Sequence, residues 1–268
     1  MAKAKREIKA IINQVDIVYF VLDARAPKSS LNPDFADLVK AKPVLFLYNK
    51  ASLVDLTKLT EIIKSGNQTN YLIIDSLKKT NIKQIKPKTE EILKSYIAKQ
   101  KERGYHRVTI KALVLGIPNV GKSTLINALA GKKIASTNKI PGHTRRLNWI
   151  NVEQQIFLLD TPGVLWPKFE SEKVGYHLAL SGAIKEELIQ KEKLSNYAYN
   201  FFITNYPTRI EKHYQIETES FEAFFTELAK KRGFLREEEQ LDLRQAYTIF
   251  LADIKTGKLG EVCFDSVE

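Results

Sequence analysis

The chain has 268 residues, 44% of them hydrophobic, which is enough to bury one large core or two smaller ones. Its single cysteine, Cys263, excludes an internal disulfide and fits a reducing compartment. The apolar run Ile17–Leu22 ends at Asp23 and is too short for a signal-peptide core or a membrane span, so the chain reads as cytoplasmic with no membrane partner. A formal charge of +11 suggests a polyanionic partner, and the charge is uneven. Residues 78–111 carry eleven Lys/Arg against three Asp/Glu, whereas residues 168–268 are mildly acidic.

In chain order, Ile8, Ile11, Ile12 and Val15 recur at helical spacing and predict an amphipathic helix over residues 3–15. Residues 16–24 read as a buried strand running into Asp23-Ala24-Arg25-Ala26-Pro27. Asn32-Pro33 opens a short helix through Val39. Val44–Tyr48 is a second apolar strand running into Asn49-Lys50-Ala51-Ser52, residues 56–64 are helical, and residues 71–74 form a third strand ending in Asp75-Ser76. One basic helix is expected over residues 82–103, broken or preceded by Pro87 and stopped by Gly104. Alternating strands and helices imply a parallel sheet covered by helices.

Residues 110–115 are a further buried strand, and behind it stands Gly116-Ile117-Pro118-Asn119-Val120-Gly121-Lys122-Ser123, followed by Thr124 and a helix closed by Gly131. This fits the phosphate-binding pattern G-x-x-x-x-G-K-[ST] between a strand and a helix. The glycines let backbone N–H groups approach phosphate oxygens at the helix N-terminus, Lys122 pairs with the β and γ phosphates, and the Ser123 hydroxyl serves Mg²⁺. Residues 132–147 then form a basic loop containing Pro141-Gly142-His143-Thr144. Residues 147–152 and 155–159 read as a strand pair ending in Asp160-Thr161-Pro162-Gly163. From Ser171 the period is helical, with segments near 172–190, 193–205, 219–232 and 238–255. The expected division is an α/β domain over residues 1–167 and an all-α domain over 168–268.

These motifs have separate tasks in holding a guanine nucleotide. The P-loop takes the phosphates, Thr144 closes over the γ-phosphate and completes the Mg²⁺ shell, Asp160 holds a water on Mg²⁺, and the Gly163 N–H senses the γ-phosphate. Lys50 lays its stem across the purine, Asn49 braces the P-loop, and Asp75-Ser76 complete the base pocket from the backbone. The base motif precedes the P-loop, the reverse of the ordinary GTPase order, so the fold reads as circularly permuted.

With Asp23-Ala24-Arg25-x-Pro27 ahead and Asp160-Thr161-Pro162-Gly163-Val164-Leu165-Trp166-Pro167 behind, the chain resembles the YlqF/RbgA family of circularly permuted GTPases over its whole length. That resemblance implies a GTP-hydrolysing factor in late assembly of the large ribosomal subunit, binding a subunit precursor and rRNA with help from its C-terminal helices. The chain is expected to be a monomer. It implies GTP/GDP and Mg²⁺. Asn119 resembles the P-loop asparagine of GTPases that recruit K⁺, with stabilising the loop as its alternative role.

Three departures stand out. The family's base motif is Asn-Lys-x-Asp, but Ser52 holds the fourth position, and a hydroxyl cannot match a carboxylate's two hydrogen bonds to guanine. Asp55 reads as the N-cap of the next helix, with a loop shift into the pocket as its alternative. Family members usually carry a Phe-Pro-Gly-His-like segment, whose histidine is a candidate for positioning the attacking water, ahead of the Met-Ala-Lys-Ala at which this chain starts. His143 is either a substitute or an exposed loop residue. Val164 follows Gly163 where Ras-type enzymes carry glutamine, which implies slow intrinsic turnover with a group supplied from elsewhere. These departures motivate an alternative, a nucleotide-dependent RNA-binding module with little turnover. In the helical part, Tyr197, Tyr199, Phe201, Phe202, Tyr206, Phe221, Phe224 and Phe225 read as core, and Lys230, Lys231, Arg232 and Arg236 as RNA candidates.

Overall fold

The computed structural model describes residues 2–132, 149–153, 155–160, 169, 171–185, 188–217, 220–235 and 240–267, without the side chains of residues 2–5, 153 and 160. The chain forms two compact units: Met1–Phe169 together with Cys263–Glu268, and Glu170–Val262.

The first unit is built on a six-stranded sheet of order β3-β2-β1-β4-β6-β5. Its strands are β1 (Ile17–Asp23), β2 (Val44–Asn49), β3 (Tyr71–Ile73), β4 (Ile110–Leu115), β5 (Trp149–Glu153) and β6 (Ile156–Asp160). All neighbouring pairs are parallel except β5 with β6. The sheet is therefore mostly parallel, as the alternation of strands and helices requires.

Every residue of β1 is buried, because helices cover both of its faces. On one face Val18, Phe20 and Leu22 join a core with Ile8 and Ile11 of α1 (Ala2–Ile11), Phe35 and Val39 of α2 (Pro33–Val39), and Leu59, Ile62 and Ile63 of α3 (Leu56–Ser65). On the other face the Tyr19 hydroxyl meets Thr89 Oγ1 at 2.8 Å.

Thr89 belongs to the basic region expected as one helix. That region divides into a short 3₁₀ turn (Ile82–Gln84), α4 (Ile85–Ile92) and α5 (Lys94–Glu102). The backbone relaxes at Leu93, whose side chain is buried. Pro87 stands third in α4, where its missing N–H would have had no partner within the helix. Behind β4 comes α6 (Lys122–Ala130), closed by Gly131 in the left-handed region.

Residues 263–267 belong with this unit rather than with the helices that precede them, whereas the division expected at residue 167 assigned them to the helical part. Cys263 is buried in the β1 core, where burial pushes its thiol pKa up, and Phe264 N–H donates to Arg25 O at 2.7 Å. Asp265 Oδ2 accepts the N–H groups of Lys28 and Ser29 at 2.7 and 2.9 Å, and its Oδ1 accepts the Ser29 hydroxyl at 2.6 Å. No local pattern announces such a return, since its partners lie more than 230 residues upstream.

The second unit consists of α7 (Glu172–Leu180), α8 (Lys191–Asn205), α9 (Arg209–Tyr214), α10 (Phe221–Arg232) and α11 (Leu243–Thr256). The six-residue α9 is too short for periodicity to have signalled it. Phe224 and Phe225 of α10 meet Phe250 of α11 edge to face, with centroids 5.7 and 5.2 Å apart; they, Tyr199, Phe202 and Tyr206 are buried as core, while Tyr197, Phe201 and Phe221 are half-buried. No described helix is long and apolar enough to cross a membrane.

Candidate functional site

Parallel pairing brings the carboxyl ends of β1, β2, β3, β4 and β6 to one edge of the sheet. Asp23 stands level with Asn49, and Val114 of β4 with Asp160. Open α/β sheets take ligands at this edge, and here the loops leaving those strands carry the predicted motifs.

The P-loop leaves β4 pressed against β1. Gly116 has φ +154°, and a Cβ there would stand 2.4 Å from the Val21 carbonyl oxygen. Gly121 has φ +98°, and a Cβ there would stand 2.3 Å from Asn49 Nδ2. Both positions need glycine for conformation and for space. Asn119 also lies in the left-handed region at φ +59°. Val120 is buried, while Ser123 and Thr124 are half-buried in the first turn of α6. Lys122 is buried and folds back over the loop, its Nζ donating to Gly116 O at 3.0 Å and Ile117 O at 2.7 Å. The arrangement is a bare backbone cradle with a cation beside it at a helix N-terminus, and it suits polyphosphate.

Asn49 ties this cradle to the loop after β3. Its Nδ2 donates to Val120 O at 2.7 Å, and its Oδ1 accepts Ser76 N–H at 2.9 Å. One side chain thus couples segments 71 and 27 residues away. Ser76 Oγ is buried with no hydrogen-bond partner among the described residues, a group that a ligand could satisfy.

Lys50 sits at φ 68°, a strained conformation of the kind that clusters at functional sites. Its Nζ pairs with Asp23 Oδ2 at 2.7 Å, and Asp23 is also gripped by Arg25, Nε to Oδ1 at 3.1 Å and a terminal guanidinium nitrogen to Oδ2 at 3.0 Å. Burial raises the Asp23 pKa, but Arg25 and Lys50 outweigh it and hold the carboxyl well below the usual range. Sequence reasoning placed Asp23-Ala24-Arg25 at the ligand edge but missed this triad. The signal was available: a carboxylate ending a buried strand needs a partner.

Ser52 donates to Asp75 twice, from its N–H at 3.1 Å and its hydroxyl at 2.6 Å, both to Oδ2. Asp75 Oδ1 accepts the N–H groups of Leu77 and Lys78 at 3.0 and 2.8 Å. Burial raises the Asp75 pKa, and the hydrogen bonds from Lys78, Ser52 and Leu77 more than offset it, leaving the pKa lowered. Asp55 caps α3, accepting from Thr57 and Lys58 N–H at 3.1 and 3.2 Å.

Asp23 and Asp75 thus both have folded pKa values below their unfolded ones. Such groups contribute stability above the unfolded carboxylate value near about 4 and lose it as pH falls through the lower folded value. Thermal melts taken from about pH 6 down to about pH 2 are expected to show the loss concentrated below about pH 4, and this loss should shrink in Asp23→Asn.

Asp160 is the last residue of β6, so its backbone reaches the same edge. Thr144, Gly163, His143 and Val164 lie outside the described residues, as does Arg236. Of the other RNA candidates, Lys230 pairs with Glu227 at 2.8 Å, and Lys231 donates to the carbonyls of Tyr214 and Gln215 at the end of α9.

Comparison with known proteins agrees with this geometry. Residues 111–232 match the family model described as 50S ribosome-binding GTPase. The chain is 43% identical to ribosome biogenesis GTPase A of Bacillus licheniformis, an alignment covering 100% of this chain and 96% of that protein. The counterpart from Thermotoga maritima is 31% identical over 99% of this chain and 92% of its own length. The crystal structure of GNP-bound YlqF from T. maritima superposes with a TM-score of 0.70 at 27% identity, covering 98% of both chains. The chain belongs to the ribosome biogenesis GTPase A family, the YlqF/RbgA GTPases.

Proposed function

We propose that the chain is a guanine-nucleotide switch acting in late assembly of the large ribosomal subunit, where it binds a subunit precursor through rRNA as a monomer and is reset by GTP hydrolysis. GTP turnover and a part in ribosome biogenesis follow from family membership. The observation that carries the nucleotide site is Asn49, whose amide joins the phosphate cradle to the loop after β3 across a permuted motif order. Relatives solved in GNP-bound and GDP-bound forms support the same choice of nucleotide.

In this reading Lys122 exchanges its two loop carbonyls for the β and γ phosphate oxygens, which compensates the negative charge without moving the backbone. Ser123, Thr144 and, through a water, Asp160 would hold Mg²⁺, which neutralises charge developing on the phosphates when bound. Asn119 would face K⁺, and the Gly163 N–H the γ-phosphate. Val164 cannot orient water, so intrinsic turnover is slow and the ribosomal particle supplies what is missing. The polyanion surface is the loop after β3 and α5: Lys78, Lys79, Lys83, Lys94, Lys99, Lys101, Arg103 and Arg107 are all exposed.

The test is multiple-turnover GTP hydrolysis with and without purified large subunits, with sedimentation of the chain in GTP, GDP and no nucleotide. Stimulated turnover and GTP-dependent sedimentation are expected. Sedimentation indifferent to nucleotide together with unstimulated turnover would refute the switch.

A further inference from the structure

Guanine presents two donors on one edge, N1–H and its 2-amino group, whereas adenine presents an acceptor at N1. A carboxylate at position 52 would accept both guanine donors and repel adenine. Ser52 stands there instead, and a hydroxyl able to donate or accept distinguishes the two bases only if its proton is fixed.

The structure fixes it. Ser52 Oγ donates to Asp75 Oδ2 at 2.6 Å, and the Ser52 N–H anchors the same oxygen at 3.1 Å. The other oxygen is filled by the N–H groups of Leu77 and Lys78. Asp75 is 3% exposed and its four acceptor sites are occupied, so it has no vacant position for a base. Ser52 is half-buried, and no described residue donates to its Oγ, which leaves the oxygen lone pairs open. Asp55, three residues further along the chain, caps α3.

We propose that Asp75 locks the Ser52 hydroxyl as an acceptor, and that this oriented hydroxyl reads guanine in place of the absent carboxylate. Ser52 is then a specificity-determining residue and Asp75 a positioning residue. The inference rests on reading this edge as the base pocket.

The substitution Asp75→Asn separates polarity from shape. The two N–H groups of Leu77 and Lys78 still need Oδ1, so the amide nitrogen falls where Oδ2 was and donates to Ser52 Oγ, while the Ser52 N–H loses its acceptor. The hydroxyl proton then turns outward and presents a donor to the base, which suits adenine N1 and opposes guanine N1–H. The experiment is fluorescence titration of the full chain with methylanthraniloyl GDP and ADP in Mg²⁺. Asp75→Asn is expected to lower the GDP-over-ADP preference by about ten- to a hundredfold, and Ser52→Ala to lower it by about tenfold. The exchange Ser52→Asp with Asp75→Asn returns a carboxylate to position 52 and is expected to restore the preference.

Wild-type preference in both single variants, with unchanged circular dichroism, would overturn the proposal. Failure of the underlying reading looks different: the wild-type chain itself would show no GDP preference, and Lys122→Ala would not weaken binding.

Discussion

Lys122→Ala is expected to reduce GTP turnover by on the order of a thousandfold while leaving the fold largely intact. The Lys122 ammonium is buried against Gly116 O and Ile117 O, placing a positive charge at the mouth of the phosphate cradle. Truncation removes that charge from a site of low dielectric, where its interaction with phosphate is strong. The structural loss is smaller. Gly116 O and Ile117 O lose a donor, and bonds of this kind are worth about 1 kcal/mol each, so stability should fall far less than turnover. Steady-state GTP hydrolysis and a thermal melt on the same preparation separate the two effects. Comparable losses in both would mean that the lysine is mainly a structural clamp.

Gly116→Ala is expected to act in the opposite way, through the fold. Its Cβ would stand 2.4 Å from the Val21 carbonyl oxygen, backbone in the middle of the sheet that cannot turn aside as a side chain would. The φ of +154° adds strain for any residue with a side chain. Displacing the P-loop from β1 and straining the turn together should cost about 2 to 5 kcal/mol, and nucleotide binding should fail with it. Denaturant unfolding monitored by circular dichroism reads the first effect and nucleotide titration the second. A variant as stable as wild type would show that the loop is not held against β1 as described.

Much of this site was legible before any coordinates, and the reasons are local. β1, β2 and β4 are short apolar runs bounded by polar turns, and each motif follows such a run directly, so recognising the strand also located its carboxyl end. The Asn49 brace was legible because the residue before Lys50 ends a buried strand, and an amide there needs partners.

What escaped the sequence depends on tertiary contact. The Asp75 partner of Ser52 lies 23 residues away, and nothing in the spacing states which of Asp55 and Asp75 faces the hydroxyl. The break at Leu93 is absent from a pattern whose apolar period continues across it. The return of residues 263–267 to the sheet depends on Asp265 finding two backbone N–H groups and a serine hydroxyl at the far end of the chain.

The central claim is that distant segments form one guanine-nucleotide site, with the phosphate cradle and the base loop joined through Asn49. Amide hydrogen exchange of the full chain, with and without saturating GDP, tests this most directly. Slowed exchange is expected at both residues 116–123 and residues 75–78, with ADP giving neither effect at the same concentration. Protection confined to the P-loop, or equal protection by ADP, would contradict it.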